Sequence, residues 1–340
     1  VRAGAGTNTI DCERAAERAV FVCNVPGRNA LAVAELTMGL LLAVDRHIAT
    51  ATADLREGRW DKTGHAAAGG LFGRRLGIVG LGDIGLAVAE RATAFGMEVV
   101  AVAKPGRSAA RVEAADDVGV EFVADLDELL RTSDVVSVHV PAGPETRGMV
   151  DGGFLASMRD DAILLNTSRG DVVDEAALLA ALDERGLRAG LDVFADEPSW
   201  GRGEFDSPLA RHPNVVGTHH IGASTRQAQE AVGAGAVDVI DAYRRGEIRD
   251  CVNLEVAPPR AATITVRHHD RVGVLASVLQ VLRGASLNVQ TMRNRVFAGW
   301  LAAVATIYVG SSPGPEVLAE ISELPQIIAT SVITESTVTG

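Results

Sequence analysis

The chain has 340 residues, of which 47% are hydrophobic and 22% charged, and a formal net charge of −12. This apolar share supports a sizeable core and excludes a disordered chain, and the length predicts two or three domains. The acidic balance argues against nucleic acid or an anionic membrane as the main partner.

The three cysteines are few and scattered: Cys12, Cys23 and Cys251. They form no CxxC pair and no Cys/His cluster with zinc spacing, so we predict no metal site and a reducing, cytoplasmic location. The most apolar stretch, Leu31–Val44, is too short to span a bilayer and contains Glu35. The chain starts at Val1 within a Gly-rich turn, so we expect further residues to precede it.

Short apolar runs alternate with amphipathic ones through the middle of the chain, which predicts a parallel sheet with helices on both faces. The strands are predicted at Leu76–Val79, Val99–Val102, Val120–Val123, Val135–Val140, Ile163–Asn166, Gly190–Val193 and Val215–Gly217. Helical patterns lie between most of them, at Ile84–Phe95, Leu126–Thr132, Asp151–Met158 and Glu175–Arg185. One or two helices are predicted over Leu31–Arg59, and another over Ser224–Arg245.

The composition changes after Asn253–Arg260, a segment with two prolines that is typical of a linker. Beyond it the pattern predicts the order βαββαβ, the split-βαβ arrangement of a ferredoxin-like domain. These elements are predicted at Ala262–Val266, Val272–Arg283, Leu287–Arg293, Trp300–Val309, Pro315–Leu324 and Ile327–Thr334.

The strongest local signal is a glycine-rich loop, Gly80-Leu81-Gly82-Asp83-Ile84-Gly85, which follows a predicted strand and opens a predicted helix. Gly80 permits a tight turn, Gly82 lets the backbone approach a pyrophosphate, and Gly85 lets helix and strand pack closely. The phosphates would then face the positive end of the helix. The pattern predicts a dinucleotide-binding site in a Rossmann-type, doubly wound domain.

The second strand of such a domain normally ends in an Asp or Glu that binds the ribose hydroxyls of NAD(H). Here Val102 and Ala103 end the strand, and Lys104 and Arg107 follow. Two cations at this place would attract a 2′-phosphate, which an acid would repel. We therefore favour NADP(H); the alternative is that both cations are solvated and that NAD(H) binds through other contacts.

Three more polar segments follow predicted strands, at the edge where α/β sheets bind ligands. They contain Arg169, Glu197 and His220. An arginine can bind a carboxylate in a bidentate pair, a histidine can exchange a hydroxyl proton near neutral pH, and a carboxylate can orient the imidazole. Each residue alone is open to a purely structural explanation, but their shared position at strand ends favours a catalytic set.

These motifs resemble those of the D-isomer-specific 2-hydroxyacid dehydrogenases, and within that family those of D-3-phosphoglycerate dehydrogenases with a C-terminal ACT domain. The resemblance covers nearly the whole chain, including Arg2–Asn8 and Asn29–Glu35. It implies an α/β oxidoreductase with a Rossmann-type domain, a partial flavodoxin-like substrate domain, a ferredoxin-like ACT domain and assembly into a homo-oligomer. The implied domains are 1–50 (substrate), 51–218 (cofactor), 219–255 (return segment and linker) and 256–340 (ACT).

The resemblance also implies roles for single residues. Arg169 would bind the carboxylate and carbonyl of a small 2-hydroxy or 2-keto acid, His220 would be the general acid/base, and Glu197 would pair with it. Together with the patterns above, it predicts cofactor contacts from Gly80, Gly82, Asp83, Ile84, Gly85, Ala103, Lys104, Arg107, Val140, Thr167, Ser168, Asp192 and Ala223. Substrate contacts are predicted from Gly4, Ala5, Gly6, Asn29 and Arg169.

The chain departs from the family pattern at two places. His219 stands where the family usually has proline, and the following Ile-Gly-Ala-Ser-Thr sets the register in which His220 is the base. In phosphoglycerate dehydrogenases the basic residues that bind the substrate phosphate come from N-terminal segments that we do not find here.

The segment from His268 to Leu275 resembles the first strand-to-helix turn of an ACT domain. This implies an amino-acid effector site at a subunit interface, built from His268, Asp270 and Asn288. Asp270 replaces the asparagine of serine-sensing relatives, so a module that only dimerises is an equal alternative.

The sequence leaves three functions open. The first is a D-3-phosphoglycerate dehydrogenase of L-serine biosynthesis, which interconverts 3-phosphoglycerate and 3-phosphohydroxypyruvate; the ACT-like tail favours it. The second is an NADPH-linked hydroxypyruvate or glyoxylate reductase, or another D-2-hydroxyacid dehydrogenase; Lys104 and Arg107 favour it. The third is a dinucleotide-sensing protein without turnover. The presence of Arg169, Glu197 and His220 argues against it.

Overall fold

The computed structural model of the chain describes residues 1–7, 9–198, 201–255 and 261–334. The chain separates into two compact units, Val1–Asn253 and Leu254–Gly340. The predicted linker falls at their junction, and its residues 256–260 lie outside the described part. Within the described ranges, no helix is both long and apolar enough to cross a bilayer.

A seven-stranded parallel sheet organises the first unit, in the order β3-β2-β1-β4-β5-β6-β7. Its strands are β1 (Arg75–Val79), β2 (Glu98–Val102), β3 (Val120–Val123), β4 (Val135–Val138), β5 (Ile163–Asn166), β6 (Arg188–Leu191) and β7 (Val215–Gly217). The strand order reverses between β1 and β4, which is the crevice where doubly wound sheets bind ligands. All seven predicted strands are confirmed, and their ends shift by no more than two residues.

The helices of the first unit are α1 (Cys12–Glu17), α2 (Ala30–Asp45), α3 (Ile48–Arg56), α4 (Asp83–Ala94), α5 (Ala109–Asp117), α6 (Leu126–Thr132), α7 (Gly152–Ser157), α8 (Glu175–Glu184), α9 (Pro208–Arg211) and α10 (Arg226–Arg244). A short 3-10 turn spans Gly170–Val172. The sequence patterns predict all of the helices except α1, α5 and α9, which bury almost no apolar side chains.

The two faces of the sheet carry separate apolar cores. Leu40 and Leu41 of α2 lie in one of them, with Leu76 of β1 and Ile163 of β5. Helix α2, which lies in the range 1–50 predicted as the substrate domain, thus packs against the parallel sheet. The described part of the first 50 residues, predicted as a partial flavodoxin-like substrate domain, contains no strand of either sheet and pairs only through an isolated bridge between Cys23 and Cys251.

The second unit forms a four-stranded antiparallel sheet, in the order β11-β8-β10-β9. Its elements are β8 (Ala262–His269), α11 (Val274–Gly284), β9 (Val289–Val296), β10 (Ala302–Val309), α12 (Pro315–Glu323) and β11 (Ile327–Thr334). The predicted βαββαβ order is therefore confirmed. Alternate residues of β8 and β10 pack against the two helices, and Ile264, Ile307 and Ile321 are fully buried.

Candidate active site

A cleft of about 710 Å³ lies in the first unit and is lined by several of the loops that follow strands of the parallel sheet. It brings together most of the predicted site residues: Gly4, Ala5, Gly6, Asn29, Ile84, Val140, Thr167, Ser168, Arg169, Asp192, Glu197, His220 and Ala223. The other predicted cofactor residues lie outside its lining, in the loops after β1 and β2 and in the first turn of α4: Gly80, Gly82, Asp83, Gly85, Ala103, Lys104 and Arg107.

His220 and Glu197 are paired side chain to side chain. His220 Nδ1 lies 2.8 Å from Glu197 Oε1 and 3.0 Å from Oε2, and the two side chains are 44% and 34% exposed. The backbone of His220 is left-handed, with φ of 52°, and its N–H donates to the carbonyl oxygen of Asp192 at 2.7 Å. His219 is exposed and outside the cleft lining, so only the second of the adjacent histidines meets the carboxylate.

Asp192 holds the loop that carries His220 in place. This buried carboxylate accepts three hydrogen bonds: from Thr218 Oγ1 at 2.6 Å, from the N–H of Ile221 at 2.8 Å, and from the N–H of Gly222 at 2.8 Å. A carboxylate with three such hydrogen bonds holds its partners in a fixed geometry. Asp192 therefore positions the backbone on both sides of His220.

Asn166 shapes the turn that carries Arg169. Its buried side chain accepts from the N–H of Ser168 at 3.0 Å and from Ser168 Oγ at 2.7 Å, while its Nδ2 donates to the carbonyl oxygen of Arg169 at 2.8 Å. Arg169 is itself partly exposed within the cleft. The sequence analysis did not single out Asn166, although a polar residue at the end of the buried run Ile163–Asn166 was a signal for it.

Thr37 is a second supporting residue that the sequence analysis missed. Its fully buried hydroxyl lies 2.9 Å from Thr167 Oγ1 and also bonds to the carbonyl oxygen of Val33 at 2.8 Å. The contact joins α2 to the residue after β5, and so holds Thr167, a predicted cofactor contact, against the helix whose N-cap is Asn29. Asn29 stands at the N-cap of α2, but its side chain does not cap the helix.

The Arg2–Thr7 loop is held by the segment Val22–Val25. The N–H of Arg2 donates to the carbonyl oxygen of Cys23 at 2.7 Å, the N–H of Val25 donates to that of Gly4 at 3.0 Å, and Asn24 Nδ2 donates to that of Ala5 at 2.7 Å. These bonds keep the predicted substrate-binding backbone at the rim of the cleft.

The glycine-rich loop has the geometry that a dinucleotide needs. Gly80 has a φ of +101°, and a Cβ there would lie 2.6 Å from the carbonyl oxygen of His139. A Cβ on Gly85 would lie 2.3 Å from the carbonyl oxygen of Gly80, so helix and strand are in close contact. A Cβ on Gly82 would meet nothing within 4 Å, which leaves open space at the N-terminus of α4. The residues present thus fit a bound pyrophosphate.

The loop after β2 carries two cations, and the helix that follows it adds a third, Arg111. Ala103 and Lys104 are exposed. Arg107 is partly buried, lies 4.9 Å above the Phe122 ring and donates to the carbonyl oxygen of Val102 at 3.1 Å; burial, and then the charge of Arg111, lower the pKa of Arg107.

Arg111, on the unpredicted helix α5, forms an ion pair with Asp83 of the glycine-rich loop, with Nη2 2.6 Å from Oδ1. It is a functional candidate that the sequence analysis missed.

His139 lies between the glycine-rich loop and the cleft. Its N–H donates to the carbonyl oxygen of Val79 at 2.8 Å, and its Nε2 lies 2.8 Å from Ser137 Oγ. Burial lowers its pKa to about 4, so the ring is neutral at physiological pH. The predicted strand ran on to Val140, but it ends at Val138.

The predicted effector residues do not meet within one chain. His268 is buried, with Nδ1 2.8 Å from the carbonyl oxygen of His269 and Nε2 3.1 Å from Asn294 Oδ1. In the sheet, His268 is level with Ala303 at one end of β10, whereas Asn288 precedes β9 at the other end. A site that uses both residues would need Asn288 from a second copy.

The sequence comparisons agree with this geometry. Residues 38–222 match the profile described as D-isomer specific 2-hydroxyacid dehydrogenase, NAD binding domain. The chain belongs to this family. Its matched part includes α4, the sheet, Arg169, Glu197 and His220.

The relatives carry different activities in their names. The chain is 42% identical over 256 residues to a D-3-phosphoglycerate dehydrogenase of Methanocaldococcus jannaschii, a match that covers 74% of the chain and 46% of the relative. It is 44% identical over 242 residues to a hydroxypyruvate reductase of Thermotoga maritima, covering 70% of the chain and 75% of the relative. The chain thus spans about half the length of the curated phosphoglycerate dehydrogenases it matches.

Solved structures show the same architecture. The structure of D-lactate dehydrogenase from Aquifex aeolicus, complexed with NAD and lactic acid, aligns with a TM-score of 0.65 at 29% identity. The alignment covers 74% of this chain and 79% of that one.

Proposed function

We propose that this protein is an NAD(P)-dependent D-2-hydroxyacid dehydrogenase, and specifically a D-3-phosphoglycerate dehydrogenase that interconverts 3-phosphoglycerate and 3-phosphohydroxypyruvate in serine synthesis. The observation that carries the activity is the meeting of Arg169 with the His220–Glu197 pair in one cleft beside the glycine-rich loop. The identity to D-3-phosphoglycerate dehydrogenases and the βαββαβ unit, which we assign as an ACT domain, support the narrower assignment.

When bound, the nicotinamide ring of the cofactor accepts or donates the hydride at C2 of the substrate. The chain's own residues bind and orient the reactants. Arg169 and the backbone of Gly4–Gly6 hold the substrate carboxylate, and the Arg169 guanidinium polarises the carbonyl. Thr167, Ser168, Val140 and Ala223 line the cleft and would hold the nicotinamide there.

His220 moves the proton. Because its Nδ1 is bound to Glu197, Nε2 is the ring nitrogen left to exchange a proton with the substrate hydroxyl. In alcohol oxidation, neutral His220 accepts this proton and Glu197 stabilises the resulting cation. In ketone reduction, protonated His220 returns it to the keto oxygen.

For the cofactor we propose NADP(H). The end of β2 offers no acid for the adenosine ribose, and Lys104, Arg107 and Arg111 lie in the loop and helix that follow it. Burial, and then the charge of Arg111, lower the pKa of Arg107, so Arg111 lies close enough for a 2′-phosphate to neutralise both cations. Asp83 competes for Arg111 and is the residue that would moderate this preference.

A second candidate function is an NADPH-linked hydroxypyruvate or glyoxylate reductase. The cations after β2 and the 44% identity to a hydroxypyruvate reductase favour it. A dinucleotide sensor without turnover does not require a histidine bonded to a carboxylate inside the substrate cleft. We therefore rank that alternative last.

We further propose that the second unit mediates self-association and binds an amino-acid effector through His268 and Asp270 of one copy and Asn288 of another. Addition of millimolar L-serine should then raise the melting temperature of the wild type but not of Asp270→Ala. If serine at this concentration leaves both activity and melting temperature unchanged, the second unit is an assembly module.

The deciding assay compares initial rates of phosphohydroxypyruvate, hydroxypyruvate and glyoxylate reduction, each with NADH and with NADPH. The full natural protein is used, and His220→Gln gives the background. Turnover confined to phosphohydroxypyruvate would support the serine-pathway assignment. Faster turnover of hydroxypyruvate or glyoxylate would replace it with the reductase, and no turnover above background would refute both.

A further inference from the structure

Cys23 and Cys251 face each other across an isolated antiparallel bridge in the first unit. The backbone bonds on either side run from the N–H of Asn24 to the carbonyl oxygen of Asp250, at 3.0 Å, and from the N–H of Val252 to that of Val22, at 2.8 Å. They flank the two cysteines rather than join them. Cys23 and Cys251 are thus a non-hydrogen-bonded pair, the closer of the two kinds of antiparallel neighbours.

This pairing is suited to a disulfide. The Cα atoms of non-hydrogen-bonded neighbours lie about 4.5 Å apart, within the range of about 4.4–6.8 Å that disulfides span. The backbone would need little movement to join the sulfurs.

The surroundings hold the thiols in place. Asn253 Oδ1 accepts both from the Cys251 thiol at 3.2 Å and from the N–H of Val22 at 2.9 Å, and Asn253 Nδ2 donates to the carbonyl oxygen of Val20 at 2.9 Å. Both cysteines are free thiols; Cys23 is buried, with 8% exposed, and Cys251 is partly exposed. Burial, and then the proximity of Cys251, raise the pKa of the Cys23 thiol.

We propose that Cys23 and Cys251 are a reversible dithiol–disulfide pair, oxidised by small-molecule disulfides of the glutathione class. The more exposed Cys251, as thiolate, attacks the disulfide, forms a mixed disulfide and releases one thiolate. Cys23 loses its proton to water, attacks the Cys251 sulfur and expels the second thiolate. Two protein thiols are oxidised while one small disulfide is reduced to two thiols.

The bond would lie directly behind the loop that lines the cleft. The Val22–Val25 segment is hydrogen-bonded to the Arg2–Thr7 loop, and its Cys23 pairs with Cys251 in the bridge. A disulfide would also close a chain loop of more than 200 residues, which restricts the unfolded chain strongly. Oxidation should therefore stabilise the first unit without any change in the sheet.

The test equilibrates the full-length protein with mixtures of reduced and oxidised glutathione, alkylates free thiols after denaturation and maps the peptides. We expect two of the three thiols to disappear, the Cys23 and Cys251 peptides to be linked, and dithiothreitol to restore both. The melting temperature of the oxidised form should be higher by at least about 5 °C. Cys12→Ser is the matched control and should form the same link.

Cys23→Ser and Cys251→Ser should each abolish the link; in the former, Cys251 should remain as the mixed disulfide with glutathione. The proposal is overturned if both cysteines stay reduced in oxidised glutathione alone. It is also overturned if both become glutathionylated without joining, or if the link involves Cys12. Because the peptide map of the wild type decides among these results, the proposal stays testable even where a serine variant fails to fold.

Discussion

The backbones of Gly170 and Phe194 are in contact: a Cβ atom on Gly170 would lie 2.0 Å from the carbonyl carbon of Phe194. Gly170 follows Arg169, and Phe194 starts the segment that leads to Glu197, so this contact sets the distance between the two halves of the proposed catalytic set. Gly170→Ala must push them apart. We expect kcat/KM to fall by about 100-fold or more, since a displacement near 1 Å has that effect on catalysis. Gly152→Ala, whose Cβ would meet nothing within 4 Å, is the control; equal activity of both variants would refute the argument.

The adjacent histidines provide a matched pair of variants. His220→Gln removes the imidazole bonded to Glu197, and we expect turnover to fall by about 10²–10⁴-fold, the usual contribution of a general acid/base. His219→Gln makes the same change one residue earlier, outside the cleft, and should retain wild-type turnover. Dinucleotide binding, followed by fluorescence, should persist in both. A greater loss in the His219 variant would reverse the assignment.

We expect Arg111 to distinguish NADPH from NADH. Arg111→Gln should weaken NADPH binding by about 10-fold or more, the effect of losing a charged hydrogen bond, and leave NADH binding nearly unchanged. Asp83→Asn releases Arg111 from its ion pair and should strengthen NADPH binding. Arg131→Gln, which breaks an exposed pair with Asp127 on α6, is the control. Equal losses for NADH and NADPH would show that Arg111 does not recognise the 2′-phosphate.

The buried ring of His139 makes stability depend on pH. Its pKa is about 4 in the folded protein, against an ordinary value of 6.5, so between these values the unfolded chain binds a proton that the folded one does not. The contribution of neutral His139 to the free energy of unfolding is therefore complete above pH 6.5 and is lost as the pH falls. The free energy of unfolding decreases by about 2 kcal/mol between pH 7.5 and 5. Urea unfolding at the two pH values should show this loss reduced in His139→Gln but retained in His219→Gln. Identical pH dependence in all three proteins would contradict the assignment.

The sheet could be predicted from the sequence because each strand is a short run of buried aliphatic residues. Helix α5 could not: of Ala109–Asp117 only Ala115 is buried, so the segment has no apolar periodicity. Arg111 was missed for the same reason: it lies close to Asp83 only because α5 forms, and the sequence of α5 has no apolar periodicity.

The proposed catalytic residues were identified from their positions at strand ends, whereas the residues that support them were not. Asn166 and Thr37 are polar residues inside buried elements, where periodicity predicts only that the position faces the core. The bridge between Cys23 and Cys251 had no local signal at all, because antiparallel pairing over such a separation depends on the whole first unit being folded.

That separation also bears on the order in which the protein acquires its parts during synthesis. All seven strands of the parallel sheet lie between residues 75 and 217, so the dinucleotide cradle can fold while the ribosome is still adding residues. The N–H of Val22 bonds to Asn253, 231 residues later. The substrate loop therefore gains its full support only when the last residues of the first unit emerge. A nascent chain stalled shortly before that point should bind the dinucleotide but not the proposed 2-hydroxy acid substrate.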